Sequence, residues 1–226
     1  FKKNNYYKGQ NNSSTYFWGD LCKKNVTYVR NFVFSDINTL KKNPSFRWWL
    51  TRDNFFTEDE CNEVREYIDN NAKPKIGSYS IIDEQPIMED EICKLNIADI
   101  EEQKYLDKIW SLIEIANTSV FKYNISGIYK NKLMGHRYDG DDWYTPHSDF
   151  HPIDPFTVVK LTIVAFLSNE GEDYQGGEFK FFDGTHIESR KGRVLIFPSF
   201  YGHEVKPITS GNRYSLVTWA IGDTFV

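Results

Sequence analysis

From Val120 onward the chain breaks into short apolar runs divided by Gly, Asp, Asn and Pro, which commits its second half to β structure. Strands are expected at Phe121–Ile128, Leu133–Tyr138, Val158–Ser168, Gly177–Phe182, Arg193–Phe197 and Tyr214–Ile221. Many short strands in sequence close most readily into a sandwich or jelly roll, because closure removes exposed edges. Two helices precede them. Thr57-Glu58-Asp59-Glu60 is a capping box, with Phe56 placed to staple onto Cys61. Cys61, Val64 and Ile68 continue at helical spacing, and Asn70-Asn71 followed by Pro74 ends the pattern. A stronger helix is expected from about Asp99 to Asn117, with Tyr105, Leu106, Ile109, Ile113 and Ala116 on one stripe that should pack against a sheet. The fold class is therefore α+β, a jelly-roll core buttressed by N-terminal helices.

The remainder of the first half is less patterned. Residues 1–25, rich in Asn, Lys, Ser and Tyr, read as a loosely held arm. Val26–Phe34 and Leu50–Phe56 read as strands, with a turn at Lys41-Lys42-Asn43-Pro44. From Ile76 to Ile97 helical periodicity fades, and a mobile cover over the site is expected. Residues 26–226 thus form one domain, 26–119 as support and 120–226 as core. At 226 residues a single domain buries roughly 70–75% of its unfolded surface and needs no disulfides. Cys22, Cys61 and Cys93 form no CxxC pair, which points to a reducing, cytoplasmic setting. The net charge of −5 argues against non-specific nucleic-acid binding, and no run is long and apolar enough to cross a membrane. The polar start, Phe1-Lys2-Lys3-Asn4-Asn5, is unlike a signal peptide, and a chain starting at Phe is expected to have been trimmed.

The chemistry concentrates between Arg137 and Arg213. His147 and Asp149 stand two positions apart, so in an extended segment both point to one face and can grip one ion. His203, after an apolar strand and the aromatic turn Phe200-Tyr201-Gly202, is the best candidate for a third ligand. Two imidazoles and one carboxylate on one side of a metal leave positions open, as in non-haem Fe(II) oxygenases. Arg213, ten residues on, offers a fixed cation for a carboxylate. Taken singly, a His-x-Asp pair is more often a solvated loop feature, and His203 a half-buried strand-end histidine. Their order lifts the set: Tyr138, Tyr144, His147, Asp149, Thr162, Gly176-Gly177-Glu178, Phe197-Pro198, His203, Arg213, Trp219.

In that order the segment from about Leu133 to Ile221 resembles the double-stranded β-helix core of 2-oxoglutarate- and Fe(II)-dependent oxygenases, in the prolyl 4-hydroxylase and PKHD-type branch. The resemblance implies Fe(II) on His147, Asp149 and His203. It implies 2-oxoglutarate as co-substrate, its distal carboxylate on Arg213 with help from Tyr138 and Thr162, and ascorbate as reductant. Dioxygen would be consumed, succinate and CO2 released, and a prolyl residue in a peptide or protein hydroxylated. Tyr144, Trp143 and Trp219 would form the substrate-facing wall. One departure is Asp141 where the family has glycine, with Gly140 one position earlier; another is Arg213 in place of the lysine common in eukaryotic prolyl 4-hydroxylases.

Other classes fit less well. A zinc hydrolase could use the same ligands but has no use for a cation placed like Arg213, and a non-catalytic jelly-roll module needs no triad. An AlkB-type demethylase usually carries a second Arg where Trp219 stands, and a halogenase would lack Asp149. A hydroxylase of another amino-acid or small-molecule substrate stays open. His151 shares the motif's face without a metal role in the family pattern. His136 and His186 read as polar strand or turn residues, Trp48, Trp49 and Trp110 as core, and Lys160 and Arg193 as solvated edges.

Overall fold

The computed structural model describes residues 49–224 apart from 77–78, 83–84 and 89–92, and the side chains from 93 on and before 76. The expectations for 1–25, Val26–Phe34, Lys41–Pro44, Cys22 and Trp48 lie outside the described residues. The chain begins its described path with β1 (Leu50–Arg52), α1 (Glu58–Asn71), β2 (Lys73–Ile76), β3 (Tyr79–Ile82), β4 (Gln85–Met88) and β5 (Cys93–Ile100). Then come α2 (Gln103–Ala116), β6 (Gly127–Ile128), β7 (Leu133–Tyr138), β8 (Trp143–His147), β9 (Pro152–Asp154) and β10 (Thr157–Phe166). The last strands are β11 (Tyr174–Gly176), β12 (Phe179–Phe181), β13 (His186–Ile187), β14 (Val194–Pro198), β15 (His203–Val205), β16 (Ile208–Gly211) and β17 (Arg213–Asp223).

Strand order is β1-β14-β10-β17-β7-β5-β8-β15-β12-β13, with every pairing in this sheet antiparallel. The sheet curls into a jelly roll, β5 bonding both β7 and β8 and so joining the two walls. Alternation assigns each residue to one of two layers. Leu161, Ile163 and Ala165 of β10, Val194 and Ile196 of β14, and Tyr214 and Leu216 of β17 face the helices. Val164 and Phe166, Leu195 and Phe197, and Tyr138 face the interior of the roll.

Both helices form as their sequences dictate. Thr57 accepts from the Glu60 amide (3.2 Å) while Glu60 accepts from the Thr57 amide (2.7 Å), satisfying two donors that a helix start otherwise leaves open. The stripe Tyr105, Leu106, Ile109, Ile113 and Ala116 is buried on the sheet with Cys61, Val64 and Ile68 of α1. Each large apolar side chain so buried contributes roughly 1.5–3 kcal/mol. α1 reaches the sheet at Gly135, where a Cβ would lie 2.5 Å from Ile68 Cγ1.

Three expectations are corrected. Cys93–Ile97 is part of a sheet strand rather than of a cover, with Cys93 and Leu95 buried; within 76–92 the backbone forms the β3–β4 hairpin. The period-two alternation of Cys93, Leu95 and Ile97 is too short to stand out between charged neighbours. The same strand runs to Ile100, so α2 starts at Gln103 and not at Asp99. Of Phe121–Ile128, only Gly127–Ile128 pairs with the sheet, because a wide helical turn extends α2 through Phe121.

Candidate active site

β8 and β15 lie side by side with His147 opposite His203, so strand pairing brings the first and third candidate ligands together. The next pair is Tyr144 opposite Val205, which leaves β8 one residue longer than β15 across this interval. That bulge, at Thr145 and Pro146, brings Tyr144 round to the face of His147, where regular alternation would oppose them. Their rings stack with centroids 4.0 Å apart. Two residues on, the Asp149 amide donates to the Ser199 carbonyl (2.9 Å), which pins the carboxylate beside the end of β14.

Asp149 Oδ1 lies 3.5 Å from His147 Nε2, and Oδ2 lies 3.6 Å from His203 Nε2. All three ligand atoms fall within 4.8 Å of one another. Each imidazole turns Nδ1 toward a backbone carbonyl, His147 to Thr145 (2.8 Å) and His203 to Tyr201 (3.2 Å). A carbonyl can only accept, so the hydrogen sits on Nδ1 and both Nε2 lone pairs converge with the carboxylate. Burial pulls the His203 pKa down to about 4, which keeps the ring neutral. Burial alone would raise the Asp149 pKa; the Thr162 hydroxyl that donates to Oδ2 opposes this and favours the ionised carboxylate. Two imidazoles and one carboxylate suit a borderline divalent metal such as Fe(II), with the opposite face left to other ligands.

The triad opens on a cavity of about 80 Å³ within the roll. Arg213 lines it and is only 1% exposed. Its Nη1 donates to Ser215 Oγ (3.3 Å), while Nε and Nη2 have no partner among the described residues. The guanidinium lies 5.1 Å from the Tyr138 ring centre and 5.7 Å from that of Phe166, contacts that offset only part of the cost of burying a charge. An incoming carboxylate would complete it. The Gly176-Gly177 step makes room: both have positive φ (71° and 62°), and a Cβ on Gly177 would lie 2.3 Å from Ile208 Cδ1 and 3.3 Å from Arg213 Cδ.

Residues 133–221 match the family model of the 2OG-Fe(II) oxygenase superfamily. Over that segment the chain is similar to that superfamily. A PKHD-type hydroxylase of Psychrobacter sp. (strain PRwf-1) is 40% identical over 62 residues, which span 26% of this chain and 24% of that protein. One from Shewanella sp. (strain MR-7) is 25% identical over 178 residues, 74% of this chain and 75% of that protein. Among solved structures, a Pseudomonas putida prolyl-4-hydroxylase superposes with TM-score 0.60 at 19% identity, over 79% of this chain and 95% of that one. A Trichoplax adhaerens prolyl hydroxylase, solved with a hypoxia inducible factor oxygen degradation domain peptide fragment, gives TM-score 0.60 at 23% identity, over 86% and 90%. These structures establish the fold. The superfamily implies Fe(II), 2-oxoglutarate and dioxygen, and the donor set and the buried Arg213 fit the first two.

Several sequence-based roles change. Thr162 is not among the residues that line the cavity; its hydroxyl donates to Oδ2 of Asp149 (2.7 Å), a candidate metal ligand. Trp143 is likewise not on the cavity wall, since it pairs with Lys94 ahead of the bulge that turns Tyr144 inward. Tyr138, Tyr144 and Trp219 do line it. His136, read as an ordinary strand residue, is 5% exposed on the cavity wall. Lys160 is 2% exposed, at the register shift between Val159 and Leu161, and not at a solvated edge. Arg193 is held by Asp53 and the Glu188 carbonyl. His151 bonds the Asp149 carbonyl through Nδ1 (2.8 Å) outside the ligand cluster, and His186 meets Glu170. At the departure from the family pattern, Gly140 takes the positive φ (61°), which frees position 141 for an aspartate that pairs with Lys94.

The Thr162 contact makes a quantitative expectation. Thr162→Val keeps the shape but removes the donor, and should weaken Fe(II) or Mn(II) binding about 10–100-fold. Calorimetric metal titration checks it; unchanged affinity would assign the hydroxyl to packing alone.

Proposed function

We propose that this protein is an Fe(II)- and 2-oxoglutarate-dependent dioxygenase that hydroxylates a prolyl residue within a peptide or protein, releasing succinate and CO2. The observation that carries the oxygenase reading is the buried Arg213, without a carboxylate partner among the described residues, in the same cavity as the His147–Asp149–His203 cluster. A zinc hydrolase would need a general base there and no such cation. His147, Asp149 and His203 hold the metal by one face, and Arg213 draws the distal carboxylate of 2-oxoglutarate to the far end of the cavity. Bound Fe(II) supplies the coupling of dioxygen reduction to oxidative decarboxylation. The protein's share is orientation and dryness: Val164, Phe179 and Val205 line the cavity with apolar surface.

The prolyl assignment draws support from the PKHD-type relatives, from the prolyl hydroxylases of the same fold, one of them solved with a peptide, and from the wall itself. Tyr144 stacks on His147, and Trp219 meets Tyr129 edge-on at 5.8 Å; together they offer ring faces beside the metal position for a pyrrolidine ring. A Pro-containing peptide also loses little backbone freedom on docking. Matched peptides differing only in Pro or Ala, incubated with Fe(II), 2-oxoglutarate and ascorbate, test the reading. Succinate and a one-oxygen mass gain should appear together with the Pro peptide only. Equal product from both peptides, or coupled turnover with free amino acids alone, would retire the peptidyl-proline assignment, and turnover with Zn(II) in place of Fe(II) would retire the oxygenase chemistry.

A further inference from the structure

β7 and β17 pair with Tyr138 opposite Arg213 and His136 opposite Ser215. All four residues line the cavity, so two adjacent cross-strand pairs place a phenol, a guanidinium, an imidazole and a hydroxyl on one patch about 5–8 Å across. Ser215 accepts from Arg213 Nη1 (3.3 Å). His136 sits edge-on to Tyr138 and turns Nδ1 toward its hydroxyl (3.5 Å), but its buried Nε2 has no partner among the described residues. Burial, with Lys75 and Arg213 nearby, pulls the His136 pKa down to about 3, so the ring offers a hydrogen bond and not a charge. A buried polar atom left open costs free energy that an apolar residue would avoid, and Met134, Val164 and Val217 on the same wall show that apolar residues fit this cavity.

We infer that His136, with Ser215, completes the recognition of the co-substrate's distal carboxylate: His136 donates Nε2–H to the carboxylate, and the Ser215 hydroxyl fixes the guanidinium that grips it. With the Tyr138 hydroxyl donating to Nδ1, the ring hydrogen sits on Nε2, and Tyr138 serves to orient the imidazole while its ring underlies Arg213. His136 lies outside the triad cluster, so it adds to the co-substrate site and not to the metal. This rests on the 2-oxoglutarate reading above.

The test is anaerobic calorimetry on Mn(II)-loaded protein with two probes, 2-oxoglutarate and 2-oxopentanoate, which shares the 2-oxo acid head and chain length but ends in a methyl group. Wild-type protein should strongly prefer 2-oxoglutarate. His136→Leu should weaken 2-oxoglutarate about tenfold or more and 2-oxopentanoate less than about twofold, with His136→Gln, which keeps a donor, recovering most of the loss. Retained 2-oxopentanoate affinity certifies the fold of the variant. Unchanged preference in His136→Leu, or equal weakening of both probes, would overturn the inference while leaving the Arg213 reading intact. A wild-type protein that does not distinguish the probes would overturn the Arg213 reading itself. Should His136→Leu fail to fold, Ser215→Ala is read in the same titrations, and full retention of the preference there counts against the inference.

Discussion

Asp149→Ala is expected to abolish iron-dependent turnover and to lower metal affinity by more than the 10–100-fold typical of losing a residue that merely orients a ligand. The carboxylate is the one anionic donor of the cluster, and its two oxygens face the two imidazoles at 3.5 and 3.6 Å. Removing it leaves two neutral nitrogens, which bind a divalent cation far less well, and strands the Thr162 hydroxyl that now donates to Oδ2. His147→Ala and His203→Ala should also abolish turnover, since each removes one of three contacts that fix where the open coordination positions point. The fold should survive in all three, because the strand pairing that carries these residues runs through backbone bonds. Metal content after iron loading and succinate release are the measurements. Two of the three variants keeping near-native activity with iron bound would disprove the ligand assignment.

How much of this was legible beforehand depended on whether a feature is local. The capping box at Thr57, the stripe from Tyr105 to Ala116 and the strand Leu133–Tyr138 are written in consecutive residues, and the structure has them in those places. His147, Asp149, His203 and Arg213 could be proposed because their types and order are distinctive. That His147 faces His203 could not be read, since it depends on the pairing of two short strands far apart in sequence. Tyr144 joins His147 only through a bulge, a one-residue mismatch between strands that no single segment reveals. The role of Thr162 depends on which neighbour its hydroxyl meets, and that of His136 on being walled in by β17. Both are products of packing, and a lone histidine between Gly135 and Arg137 carries no mark of burial.

Arg213→Met should separate the two sides of the guanidinium's role. In the protein alone Arg213 is buried with no carboxylate partner among the described residues, helped by Ser215, the Tyr174 hydroxyl and two ring faces, so the charge is a cost to folding. Replacing buried charged groups by apolar ones of similar volume is often neutral or stabilises by about 1–4 kcal/mol, so the variant without co-substrate should melt no lower than wild type. With 2-oxoglutarate the order should reverse. Losing a charge-assisted contact worth about 1.5–3 kcal/mol weakens binding about 10–200-fold, whereas metal affinity should hardly change. At a concentration about 100 times the wild-type Kd, co-substrate adds about 2.7 kcal/mol to wild-type stability, or roughly 5–10 °C in Tm for a chain of this size. A variant bound 100-fold more weakly gains about 0.4 kcal/mol at the same concentration, a shift of about 1 °C. Thermal melts of the Mn(II)-loaded proteins with and without 2-oxoglutarate measure both quantities. A variant that 2-oxoglutarate stabilises as much as wild type would show that the distal carboxylate is held elsewhere, and a large loss of stability without co-substrate would show that Arg213 has an internal partner.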